Sequence, residues 1–138
     1  MKKTSSHEMP CPCGSGKEYE ICCGQYIQGR SWPENAVELM RSRYTAYTLK
    51  DEAYLIKTWH ASTRPAELGL ENGGPVKWIG LNVIRTEAGG KSDEQGMVEF
   101  EARCKVNGKA EKLHEASRFV KENEMWYYLD GEVNDRGK

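Results

Sequence analysis

Between Pro33 and Lys50 apolar residues recur at steps of three and four, with Val37, Met40, Tyr44 and Tyr47 forming one stripe. That period predicts an amphipathic helix over Pro33 to Lys50. Its start has two readings: Ser31 and Glu34 have the spacing of a capping box, and Pro33 equally suits the first helical position. Asp51 is a good N-cap for a second helix running through Ala53, Tyr54, Leu55 and Ile56 to about Trp59. Arg64-Pro65 stops any continuation, because the residue before a proline avoids helical backbone angles.

In the C-terminal half the period drops to two. Ile79, Leu81 and Val83 are expected on one face of a strand. Val98, Phe100, Ala102, Cys104 and Val106 alternate with Glu99, Glu101, Arg103 and Lys105, the pattern of a half-buried antiparallel strand. Cys104 lies on the apolar side of that pattern and reads as a core thiol. Asn107-Gly108 is a strong two-residue hairpin signal. A third strand is expected over Glu111 to Lys121 and a fourth over Trp126 to Val133, joined by a turn at Glu122-Asn123-Glu124. The glycine-rich loop from Glu87 to Gly96 is expected to be mobile. Helices followed by a meander of strands predict an α+β fold, with the helices packed on one sheet face.

Composition narrows the function classes. The chain has 138 residues, enough for one ordinary domain plus a small N-terminal unit, with the boundary expected around Gly24 to Trp32. Charged residues make up 30% and nearly cancel to a net −1, so no basic field points to nucleic acid and no direct DNA binding is expected. No apolar run reaches membrane-spanning length, and the opening MKKTSSHEMP has no apolar segment of a secretory signal. A cytoplasmic location, and no membrane contact, is the expectation.

The chemistry is concentrated near the start, in CPCGSGKEYEICCG. Cys11, Cys13, Cys22 and Cys23 form a C-x-C-x8-C-C pattern, and four sulfurs are the ligand set of a closed tetrahedral zinc site. Gly14, Ser15 and Gly16 let the backbone turn its amides toward the thiolates, and Lys17 partly offsets their charge. The stretch from Lys17 to Ile21 is long enough for about one helical turn, which returns Cys22 and Cys23 over the first pair. A disulfide pair is the alternative, but in a reducing compartment clustered cysteines more often hold metal. Zinc is the default metal, and an all-thiolate tetrahedron also suits iron. His7 is a substitute ligand in principle, although four cysteines already fill the shell and leave it to solvent. A closed shell has no open position for substrate, so the site reads as structural.

CPCGSGKEYEICCG resembles the SEC-C motif, the metal-binding tail also found on the SecA preprotein translocase. Together with MRSRYTAY (Met40 to Tyr47), TWHASTRP (Thr58 to Pro65) and EASRF (Glu115 to Phe119), it is similar to the YchJ family of uncharacterised bacterial proteins. The resemblance covers nearly the whole chain. It implies a SEC-C knuckle over residues 1–27 and a nuclear-transport-factor-2-like domain over residues 28–138. Such a domain is a cone of two to three helices wrapped by a curved antiparallel sheet of about four strands. It also implies that Cys11, Cys13, Cys22 and Cys23 are the metal ligands. No established activity comes with the likeness, and the fold alone supplies none.

A second candidate site follows from the third strand, where Leu113, Glu115, Ser117 and Phe119 share one face. With Leu113 and Phe119 marking the interior, Glu115 and Ser117 point into the cone. A carboxylate there needs a partner, and Arg41, Arg43, His60 and Arg64 are the candidates. Such a group is suited to general acid–base work, while the plainer and preferred reading is a buried pair fixing helix to sheet. His60 beside Trp59 reads more readily as a packed or capping residue than as a base. Tyr44, Tyr47 and Tyr54 read as core residues with hydroxyls at the rim of the cone, and His114 as exposed.

Three functions are compatible with these residues. The first is a binding or adaptor module whose knuckle docks a protein or ribosomal partner, as SEC-C tails on SecA contact the SecB chaperone and the ribosome. Lys2, Lys3 and Lys17 give it a modest positive rim, and the cone is free to hold a small ligand. The second is a small enzyme of isomerase or hydratase type using Glu115 or His60. In the third the knuckle is purely a staple, so that stripping its metal lowers overall stability. Charges at Glu99, Glu101, Arg103 and Lys105 argue against a dry dimer interface on the outer sheet face.

Overall fold

The computed structural model describes residues 10–66 and 76–134. The expectations for Lys2, Lys3 and His7 lie outside them. A single 3-10 turn at Tyr19–Ile21 leads into the short helix α1 (Cys23–Ile27), followed by α2 (Ala36–Leu49) and α3 (Glu52–Lys57). The strands β1 (Val76–Ala88), β2 (Gln95–Val106), β3 (Lys109–Glu122) and β4 (Met125–Asn134) come after them. They form one antiparallel sheet in the order β1-β2-β3-β4. This is the α+β arrangement that the change of period predicts. Among the described residues no helix is long and apolar enough to cross a membrane.

Helix α2 starts at Ala36, three residues later than the expected Pro33. The N-cap is Asn35, whose side chain accepts from the Glu38 amide at 2.9 Å, and the Ala36 amide donates to the Gly89 carbonyl at 2.9 Å. Neither Ser31 nor Pro33 opens the helix, because the first free amides are satisfied three residues further on, one of them by a distant loop. Asp51 does cap α3, accepting from the Tyr54 amide at 3.1 Å.

That distant loop is the Gly89 to Glu94 connection between β1 and β2. Gly89 has φ +83°, and a Cβ there would meet Ala36 at 2.9 Å, so only glycine lets the loop close onto the helix start. The Lys121 amide also bonds Glu94, and Lys121 Nζ bonds the Lys91 carbonyl at 2.6 Å. The segment expected to be mobile is therefore tied to both layers.

Strand β1 departs from simple alternation. Register shifts at Trp78/Gly80 and Val83/Arg85 each add a residue opposite β2. Trp78, Leu81 and Val83 pack on the core, but Ile79 is 45% exposed and Ile84 46% exposed. Ile79 does not share a face with Leu81 and Val83, because the first bulge turns it outward.

The core joins Leu39, Met40 and Tyr44 of α2 to Val98, Phe100 and Ala102 of β2, Phe119 of β3 and Trp126 of β4. Full burial of such side chains contributes about 1.5–3 kcal/mol each. Cys11, Cys13 and Cys23 belong to the same buried cluster. Helix α2 is thus covered on several sides, by the knuckle, by the sheet and by α3, which explains why Ser42, Arg43 and Thr45 are buried. Ser42 Oγ meets the Tyr54 hydroxyl at 2.7 Å, and Arg43 reaches the end of α3. Beyond α3 the chain pairs with β4, where the Tyr128 amide donates to Thr58 O and the His60 amide to Tyr128 O, both at 2.8 Å.

Candidate functional site

The two cysteine pairs are brought together by backbone turns. The Cys11 amide donates to Lys17 O at 2.9 Å and the Gly14 amide to Cys11 O at 3.1 Å, folding the first pair into a tight loop. The 3-10 turn then delivers Cys22, whose amide donates to Tyr19 O at 3.1 Å, and Cys23 at the start of α1. All four sulfurs lie within 4.8 Å of one another, and all five cysteines, Cys104 included, are free. Cys13 Sγ and Cys22 Sγ are 3.7 Å apart. A tetrahedron of Zn–S bonds near 2.3 Å has S···S edges of roughly 3.8 Å, so the donor set fits such an ion. The cluster can hold a metal ion.

The thiols perturb one another. Hydrogen bonds from Cys11 and Cys23 hold the Cys13 thiol far below its ordinary value. The bonds that Cys23 makes with Cys11 and Cys13 push Cys23 up, and burial raises Cys22. Several thiolates this close to one another repel. A divalent cation offsets that repulsion, because metal binding favours deprotonated sulfur ligands. Cys22 is the least buried of the four cysteines, and Ser15 Oγ lies 3.1 Å from its sulfur.

Helix α2 supports the knuckle from below. Arg41 Nη1 donates to the Cys13 carbonyl at 2.9 Å, Thr45 Oγ1 lies 3.6 Å from Cys11 Sγ, and the Tyr26 hydroxyl donates to Glu38 Oε1 at 3.0 Å. Lys17 is accompanied by Glu18 and Glu20, and Glu20 lies 3.6 Å from Arg30, so the described part of the knuckle carries no net positive charge.

The opposite side of α2 faces a cavity of about 230 Å³ inside the cone, walled largely by Met40, Tyr44, Trp78, Phe100, Leu113 and Phe119. Polar groups enter it from Arg43, Tyr47, Glu115, Ser117 and Tyr128. Arg43 is 5% exposed, and its Nη1 donates to Leu55 O at 2.8 Å and Thr58 Oγ1 at 2.7 Å. The guanidinium lies 4.3 Å from the Tyr128 ring centre and 5.0 Å from that of Trp59, and burial presses its pKa below the ordinary value. Glu115 Oε2 accepts from Ser117 Oγ at 2.7 Å and from the Tyr128 hydroxyl at 3.3 Å. Burial, and then Glu115, raise the pKa of Tyr128, keeping that hydroxyl a donor. Gly131 faces the same carboxylate, and a Cβ there would collide with Glu115 Oε2.

Of the residues expected in the cone, Glu115, Ser117 and Arg43 line the cavity together. Among the described residues no ion pair joins Arg43 to Glu115; the two are linked through Tyr128, by its ring and its hydroxyl. Arg41 is not in the cavity, because two helical positions from Arg43 carry it round to the knuckle side. His60 lies outside as well, with Nδ1 2.8 Å from Ser62 Oγ and Nε2 3.1 Å from Glu122 Oε1. Arg64 is exposed beyond the turn after α3. Tyr44 and Tyr47 reach the cavity, whereas Tyr54 turns its hydroxyl to Ser42. His114 is half-buried, with Nε2 2.6 Å from Glu99 Oε2.

The arrangement agrees with comparisons to known proteins. Residues 35–131 match the family model of the YchJ middle NTF2-like domain, and residues 10–25 match the SEC-C motif. The chain is 54% identical over 135 residues to a UPF0225 protein of Chromobacterium violaceum, covering 96% of this chain and 99% of the relative. It is 44% identical over 135 residues to one of Bordetella pertussis, with the same coverage of 96% and 99%. The chain belongs to the YchJ (UPF0225) family. Two solved structures of SEC-C motif containing proteins share the fold. The one from Rhodopseudomonas palustris has a TM-score of 0.80 at 33% identity, covering 92% of this chain and 100% of that one. The one from Psychrobacter arcticus has a TM-score of 0.72 at 27% identity, covering 91% and 82%.

For this YchJ-family chain, sequence reading misses Thr45, Tyr128 and Gly131. Thr45 has no signal, because a threonine in a helix gives no hint of a thiol beside it. Tyr128 alternates with the buried Trp126, which is a weak one. Gly131 inside a strand is a usable one, since such glycines mark close approach of another group.

Proposed function

We propose that the protein is a small-ligand binding module in which a zinc-loaded knuckle clamps α2 over an occupied cone. The observation that carries this reading is the largely apolar cavity into which a buried arginine and a carboxylate project without pairing to each other. A cavity with mostly apolar walls and a few convergent polar groups is the usual form of a small-molecule site. The all-thiolate donor set and its tetrahedral spacing support zinc, and one zinc per chain is the expected result of metal analysis. An enzyme with His60 as base gains nothing from the geometry, since that ring is bonded outside the cavity. The test is titration with an apolar fluorescent dye. Saturable one-to-one binding should be lost in Ala102→Leu, which fills the cavity from the 1% exposed Ala102. Equal binding by both proteins, or none by wild type, would remove the reading.

A second reading, docking of a protein or ribosomal partner on the knuckle, is favoured by Ile21, which is 63% exposed. It edges a groove of about 220 Å³ with Lys17, Cys22, Tyr26 and Val37. Cosedimentation with purified ribosomes, lost in Ile21→Glu, is the expected sign. Sedimentation unaffected by that change would end the ribosomal form of this reading.

A further inference from the structure

The cone's two charges constrain what it can hold. Arg43 commits Nη1 to Leu55 O and Thr58 Oγ1. A guanidinium carries more N–H donors than these, and the Tyr47 hydroxyl is a further polar neighbour of it in the cavity. On the opposite wall both hydrogen bonds to Glu115 fall on Oε2, so among the described residues Oε1 accepts none. The carboxylate is also held in place, by Ser117, by Tyr128 and by the absence of a side chain at Gly131.

Ligand charge then decides fit. A purely anionic ligand meets Arg43 but also faces Glu115, and a purely cationic one faces Arg43. A neutral apolar ligand gains burial against the apolar walls but pairs with neither charge, so it binds more weakly than one that does. Only a molecule carrying both signs satisfies both walls.

We infer that the cone takes a small zwitterion with an apolar body, its carboxylate on Arg43, its ammonium group on Glu115 Oε1, and its side chain against Met40, Phe100 and Phe119. This rests on the reading that the cone binds a small ligand. The aromatic rings of Trp78, Phe100 and Tyr128 suit both the apolar body and the ammonium group.

Four probes sharing one phenyl ring test it on the metal-loaded full chain by calorimetry: phenylalanine, 3-phenylpropionate, phenethylamine and 2-phenylethanol. Phenylalanine should bind about tenfold or more tightly than each of the others, the effect of one additional charged hydrogen bond. Glu115→Gln should erase its advantage over 3-phenylpropionate while leaving the latter's affinity intact or improved. Tyr128→Phe, which removes one donor to Glu115 Oε2, should reduce the same advantage and serves if Glu115→Gln folds poorly. Phenylalanine binding no tighter than 2-phenylethanol or 3-phenylpropionate overturns the inference. If the apolar dye binds but the four probes do not differ or do not bind, the charge assignment falls and the cone remains a binding site. If the dye fails as well, the cone reading itself falls.

Discussion

Gly131 is a sharp test of the cone's chemistry at the residue scale. Its missing Cβ is what allows Glu115 to lie against Ser117 and Tyr128, so Gly131→Ala should displace the carboxylate. The expected cost is about 1–3 kcal/mol of overpacking in denaturant unfolding, partly recovered when Glu115 is also changed to Ala. The cysteines separate in the same way. Cys22→Ser should lose most bound metal, while Cys104→Ser should retain it, since Cys104 stands on β2 outside the cluster. Some of this is legible in the sequence. Alternation from Leu113 and Phe119 is enough to send Glu115 and Ser117 inward. Choosing between Arg41 and Arg43 is not possible from the chain alone, because both faces of α2 are buried and each arginine serves a different one.

Caps and cross-strand pairs set testable costs at the scale of elements. Asn35→Ala should destabilise by about 1 kcal/mol through loss of the N-cap of α2, and Ser31→Ala should be near neutral, both read by denaturant unfolding. The helix start is obscure in the sequence because the Ala36 amide is satisfied by Gly89, from a loop between strands. Strand limits, by contrast, follow well from alternation and from Asn107-Gly108. The failure at Ile79 has a specific cause, an added residue that flips the pattern midway through β1.

The outer sheet face also predicts a pH response. Arg118 holds the Asp130 carboxyl below its ordinary value, and His114 followed by Arg85 does the same for Glu99. Both folded-state values are depressed, so the stability these groups contribute is present above the ordinary carboxylate range and lost as pH falls through the folded values. Unfolding midpoints measured from about pH 6 down to about pH 3 should fall, and Arg118→Ala should flatten that decline.

At the scale of the whole molecule, the knuckle and the cone are one packing unit. Cys11, Cys13 and Cys23 lie in the same buried cluster as Leu39, Val98, Phe119 and Trp126, and Arg41 and Thr45 tie α2 to the cysteine loop. The sequence separates the two parts readily, because a cysteine motif and a polar stretch precede the first long helix. It is silent on their joining, since small thiols give no periodic signal and Thr45 reads as an ordinary helical residue. A closed metal site that shares a core with the domain acts as a staple across it, so its binding energy stabilises both.

The most direct test is thermal unfolding of metal-loaded and chelator-treated protein followed by tryptophan fluorescence, because Trp78 and Trp126 pack in the core of the cone. The account predicts that removing the metal lowers the midpoint of that cone signal by more than about 5 °C, in a single transition. A cone midpoint that does not move when the metal is gone would contradict it and make the knuckle an independent appendage.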